Sequence, residues 1–83
     1  MIFLKLITPQ VEVNEEIVWL EAETSSGTFV IRNNHTSMII SLKDGNTLNY
    51  CLLSGKNKSV SIKEAVLNFH NNKAVVIARS LEQ

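Results

Sequence analysis

The sequence predicts an all-β fold, a flattened antiparallel β-sandwich or barrel of about eight to ten short strands. Three observations carry this expectation. Short runs rich in Val, Ile, Leu and Thr recur along the 83 residues, separated by Asn, Gly, Lys and Asp. No stretch has the apolar spacing of a helix of useful length. Hydrophobic residues make up 45% of the chain, enough for a core and too many for a disordered segment.

The elements follow in order. The first strand, Ile2 to Ile7, ends at Thr8-Pro9, because proline lacks the amide donor that a ladder needs. A short Val11-Glu12-Val13 piece precedes an expected turn at Asn14-Glu15-Glu16. From Ile17 to Thr24 the residues alternate, with Val18, Leu20 and Ala22 on one face and Trp19, Glu21 and Glu23 on the wetter one. Ser25-Ser26-Gly27 reads as a turn, Thr28 to Ile31 as a brief strand, and Arg32 to Thr36 as a polar loop. Met38 to Leu42 is almost continuously apolar, which predicts a strand buried on both sides. Lys43-Asp44-Gly45-Asn46 is a hairpin signal, since Asp-Gly suits a primed turn.

Thr47 to Leu53 then places Leu48, Tyr50 and Leu52 on one face, and Ser54 to Lys58 turns the chain. Ser59 to Ile62 and Glu64 to His70 read as two strands, the second with Ala65, Leu67 and Phe69 on one side. Asn71-Asn72 is a tight turn before a last strand from Lys73 to Arg79. This divides the chain into one domain, 1–79, and a short tail, 80–83.

Eight basic and eight acidic residues give no net charge. No basic stripe is present to neutralise a run of phosphates, so nucleic acid is not an expected partner. Carboxylates gather at Glu12, Glu15, Glu16, Glu21 and Glu23, while basic residues dominate from Lys43 to Lys73, an asymmetry that can orient the domain against a partner. The first residues, with Lys5 and Pro9, lack a signal-peptide pattern, and no apolar run reaches membrane-spanning length. Direct membrane insertion is therefore not expected, and the cytoplasm is the default compartment. Cys51 is the one cysteine and reads as a buried strand residue rather than a reactive thiol.

Chemical motifs are sparse. His35, His70, Cys51 and Asp44 exhaust the histidines, cysteines and aspartates, and their spacing matches no zinc pattern. A serine nucleophile needs a base held by a third group, and no such set is visible. Ser54-Gly55-Lys56 is not a phosphate-binding loop, which needs a longer glycine pattern between strand and helix. Glu21 and Glu23 share a strand face and need no catalytic role. The sequence thus predicts no catalytic, cofactor-binding or metal-ligating residue and a protein that is not an enzyme by itself. The alternative is a small cupin-like enzyme holding a metal on His35 and His70. His70 reads as a residue flanking a turn, and His35, in its polar loop, as either a local hydrogen-bond donor or an interface contact.

Gly27-Thr28-Phe29-Val30-Ile31-Arg32-Asn33-Asn34-His35 resembles a segment of the epsilon subunit of F-type ATP synthases. The resemblance extends to the opening strand with Thr8-Pro9, to Val18-Trp19-Leu20-Glu21-Ala22, and to the final hairpin Ala65 to Ala78. It departs at Thr36-Ser37, where the family usually has Ala-Pro, and at Lys63-Glu64, where Gly-Gly is common. The family's C-terminal helical hairpin has no counterpart, so neither its inhibitory action nor its ATP-binding motif is expected.

The resemblance implies a non-catalytic rotor subunit of the central stalk, joining the gamma subunit to the c-ring and supporting ATP synthesis driven by ion flow. Its place would be peripheral, on the cytoplasmic face of a bacterial plasma membrane. It implies partner contacts at Thr28, Arg32, Asn33, Asn34, His35 and Thr36, with Thr28 standing where many members carry glutamate. Trp19 is a candidate for a face that a partner covers. A free-standing adaptor of the same fold is a further alternative.

Overall fold

The computed structural model describes residues 1–42 and 46–82. Among these the chain forms strands only: β1 (Ile2–Ile7), β2 (Glu12–Thr24), β3 (Gly27–Arg32), β4 (Met38–Leu42), β5 (Asn46–Leu52), β6 (Asn57–His70) and β7 (Lys73–Glu82). The pairings run β1-β7-β6-β5-β2, and β2 pairs back onto β1, so five strands close a ring. β3 and β4 are added outside this ring, on β2 and β6. All ladders are antiparallel except the one between β1 and β7. The all-β sandwich is confirmed.

The described strands number seven, below the expected eight to ten, because two of them run through expected breaks. Asn14, Glu15 and Glu16 do not turn. They continue β2 and pair with Lys5, Leu4 and Phe3. One edge of β2 is taken first by β1 and then by β3, while β5 takes the other. Likewise β6 does not break at Lys63-Glu64. β7 follows it along one edge from Ser61 to His70, while β5 and then β4 fill the other. Glu64, at φ 48, marks the change of partner. Each long strand thus passes from one layer of the flattened ring to the other. The last strand also runs beyond Arg79, with Ser80, Leu81 and Glu82 paired to Lys63, Ile62 and Ser61. Of the Lys43–Asn46 hairpin signal, Lys43, Asp44 and Gly45 lie outside the described residues, and Asn46 opens β5.

Alternation then builds the core. Ile2, Leu4 and Leu6 of β1 meet Leu48 and Tyr50 of β5, Ala65, Leu67 and Phe69 of β6, and Ala74 and Val76 of β7 in one buried cluster. Each large apolar side chain so buried contributes about 1.5–3 kcal/mol. On β2 the phase slips between Ile17 and Trp19, where the register to β5 shifts by one residue. Ile17 and Leu20 both point inward, and Val18, expected inside with Leu20 and Ala22, is 44% exposed. A bulge of this kind inserts one residue and turns its side chain to the opposite face. β4 also departs from expectation. It lies at an edge with one side open, so Ile39 is 73% exposed while Leu42 is buried.

Candidate functional site

The candidate site is one end of the ring, where the β3–β4 loop, the β6–β7 turn and the N-terminus meet. β3 ends at Arg32, and the His35 amide donates to the Arg32 carbonyl at 3.1 Å, closing a tight bend. The bend requires Asn34 at φ 66, which asparagine tolerates better than most residues. Across from it, Asn71 and Asn72 take φ 49 and 60, the pair of positive values of a type I′ hairpin turn between His70 and Lys73.

The two segments are locked reciprocally. The Asn34 amide donates to Asn72 Oδ1 at 2.7 Å, and Asn72 Nδ2 donates to Asn34 Oδ1 at 3.2 Å. The Phe3 amide donates to the Asn72 carbonyl at 2.9 Å, and the terminal amine of Met1 donates to Asn33 Oδ1 at 3.1 Å. Three chain segments separated in sequence are thereby held as one surface.

The histidines serve the same end. His35 Nδ1 lies 2.8 Å from the Thr36 carbonyl, an acceptor only, which puts the ring proton on Nδ1. Its ring meets Phe69 edge to face, with centroids 6.0 Å apart and planes at 84°. Phe69 is fully buried, so His35 is anchored to the core while remaining exposed. His70 Nδ1 lies 2.7 Å from Ser37 Oγ, tying the start of β4 to the end of β6. Between the β3–β4 loop and the β6–β7 turn lies an open polar recess of about 370 Å³, lined by Asn34, His35, Thr36, Ser37, Asn71 and Asn72. Among the described residues, no three His, Cys, Asp or Glu side chains converge to hold a metal ion.

Of the residues singled out from the sequence, Arg32, Asn33, Asn34, His35 and Thr36 are brought together here. Thr28 is not. It faces Glu23 near the far end of β3, four residues before Arg32 or about 13 Å along the strand. Trp19 lies half-buried on the outer face beside Arg32 on β3 and Cys51 on β5, within the same end of the molecule. Sequence reasoning missed Asn72, Ser37 and the Met1 amine. Asn71-Asn72 was legible as a turn, but nothing local marked it as the partner of a loop in the other half of the chain.

A second surface adjoins this end. On the outer face across β1, β7 and β6, Ile7, Ile77 and Val66 stand side by side, with Val75 one row nearer the loop end. Ile77 is 57% exposed and Val66 45%, and Ile39 continues the apolar surface on β4.

A closed β-ring with an ordered loop end and exposed apolar side chains on its outer face defines a compact β-sandwich domain. The chain belongs to the family of the β-sandwich domain of the ATP synthase delta/epsilon chain, whose model matches residues 1–83. Two solved structures share the fold. One is a chain of the mitochondrial ATP synthase central stalk and c-ring of Tetrahymena thermophila, 18% identical, with a TM-score of 0.80. The other is a chain of the mitochondrial ATP synthase of Euglena gracilis, in its OSCP/F1/c-ring assembly, 16% identical, with a TM-score of 0.86. Each likeness covers 96% of this chain, which spans 64% and 51% of those two chains. No curated protein matches the sequence. Among the described residues no helix is long and apolar enough to cross a membrane.

Proposed function

We propose that the chain is a non-catalytic central-stalk subunit of an F-type ATP synthase, joining the gamma subunit to the c-ring on the cytoplasmic face of a bacterial membrane. The observation that carries this reading is the family match along the whole chain. The site geometry agrees with it. Torque passes through a subunit without loss only if its contact loops are fixed to a rigid body, and the Asn34–Asn72 clamp fixes this loop to the ring. Arg32, Asn33, Asn34, His35 and Thr36 supply the loop contact, and Trp19 borders it on the outer face. Thr28, at the other end of β3, makes a separate partner contact. The apolar face around Ile77 and Val66 is the second surface a rotor neighbour covers.

The test is calorimetry of the chain with the gamma subunit from the same source. A one-to-one complex is expected. Changing Asn34 and His35 together to alanine is expected to weaken it about tenfold or more, as for residues central to an interface. A folded, β-rich chain that does not bind gamma overturns the reading.

A further inference from the structure

The charges of this chain sum to zero, but among the described residues several cations gather at the loop end. At the loop end lie the Met1 amine, held on Asn33, together with Arg32 and Lys73, which flank the loop and the turn. Lys56 joins them through the β5–β6 turn, where its carbonyl accepts from Leu52, whose strand partner Ile17 pairs with Ile2. Glu16, on the far side of Phe3 from Lys73, and Glu15 beside it are the carboxylates bordering this group.

The described ion pairs lie elsewhere. Lys5 sits 3.9 Å from Glu12, and Arg79 3.2 Å from Glu64 near the opposite end. Glu23 and Glu82 also stand toward that opposite end. Among the described residues, neither ion pair involves a loop-end cation.

We propose that the loop end docks a carboxylate-bearing loop of a partner protein. The proposal rests on the stalk reading for the partner's place in the assembly, and it adds the partner's chemistry. Cations outside any ion pair attract a negative surface over about a Debye length, roughly 8 Å at physiological salt. The recess beside these cations is polar and its walls are held in place, because Asn34 and Asn72 bond each other across it. Charge-assisted hydrogen bonds to carboxylate oxygens are about twice as strong as neutral ones. The recess is concave, which suits a protruding loop and not the flat surface of an anionic bilayer.

The test is a titration of the full chain, followed by amide NMR, with a short blocked peptide rich in glutamate. Its glutamine twin, its lysine twin and phosphatidylglycerol vesicles run beside it. The glutamate peptide is expected to shift the amides of Asn33 to Ser37 and of Asn71 to Lys73, and the effect is expected to fade with added salt. Arg32→Gln with Lys73→Gln should weaken binding at least about fivefold, while Lys5→Gln with Lys63→Gln should leave it unchanged. Arg32→Glu with Lys73→Glu should transfer the preference to the lysine twin.

Equal shifts from the glutamine or lysine twin, or shifts from the vesicles alone, overturn the proposal. Gamma binding separates the two readings. A chain that binds gamma but ignores the glutamate peptide loses the charge proposal and keeps the stalk reading. A chain that binds the peptide but not gamma does the reverse.

Discussion

Asn72 combines two demands that usually fall on different residues. Its backbone must take φ 60 to make the β6–β7 turn, and its side chain must hold the β3–β4 loop. Glycine meets the first demand without the second, because it adopts positive φ at no steric cost. Asn72→Gly is therefore expected to keep the fold, at a cost of about 1 kcal/mol. The Asn34 amide, robbed of its acceptor, should exchange with solvent markedly faster than the core amide of Ala74. If Asn34 exchange is unchanged, the side-chain clamp is not what orders the loop. Tyr50 offers a different residue-scale reading. Its phenol is pushed above its ordinary value near 10, first by burial and then by the negative charge of Glu15. The folded chain then keeps this proton at a pH where the unfolded chain has lost it. The stability so gained is fully present below about pH 10 and is lost as pH rises through the raised value. Alkaline unfolding curves should show that loss in the native sequence, and less of it in Tyr50→Phe.

At the scale of elements, β2 shows what the pattern could and could not carry. Alternation from Trp19 to Glu23 was legible and correct in phase, with Leu20 and Ala22 buried and Glu23 exposed. Extending that phase back to Val18 failed. A bulge is set by how the strand fits two neighbours, β1 on one side and β5 on the other, and neither is local in sequence. The same cause hid the continuity of β6. Lys63 looks like a gap between two strands, but β7 bridges it while β5 hands over to β4. The loop site was half legible for this reason also. Asn33, Asn34 and His35 announced an exposed polar loop, while its anchor Asn72 lies 38 residues from Asn34. The bulge yields a sharp prediction. Val18→Lys should change stability by no more than about 0.5 kcal/mol, as for other exposed positions. Ile17→Lys, one residue earlier, would bury an unpaired ammonium and should leave the chain largely unfolded. Chemical denaturation of both variants decides it, and equal tolerance would remove the bulge.

For the whole molecule, closure is the property that matters, since a ring has no free strand in its circuit to peel away. β1 is the keystone. It is a six-residue strand, yet it pairs with both β2 and β7 and sends Ile2, Leu4 and Leu6 into the core. An ordinary domain of this length holds a net stability of only about 4–12 kcal/mol. Leu4→Ala removes a fully buried side chain and should cost about 2–5 kcal/mol of that. In a ring the cost cannot stay local. Losing β1 frees the paired edges of β2 and β7 together, and with them the turn that holds Asn72 against Asn34. Hydrogen exchange in Leu4→Ala should therefore rise by the same factor at core amides of β2, β6 and β7. Unfolding by denaturant should remain a single transition with an unchanged slope. If β6 and β7 stayed protected while β1 and β2 exchanged early, the circuit would be mechanically open. Such a domain could not carry force between its loop end and its apolar face as one body.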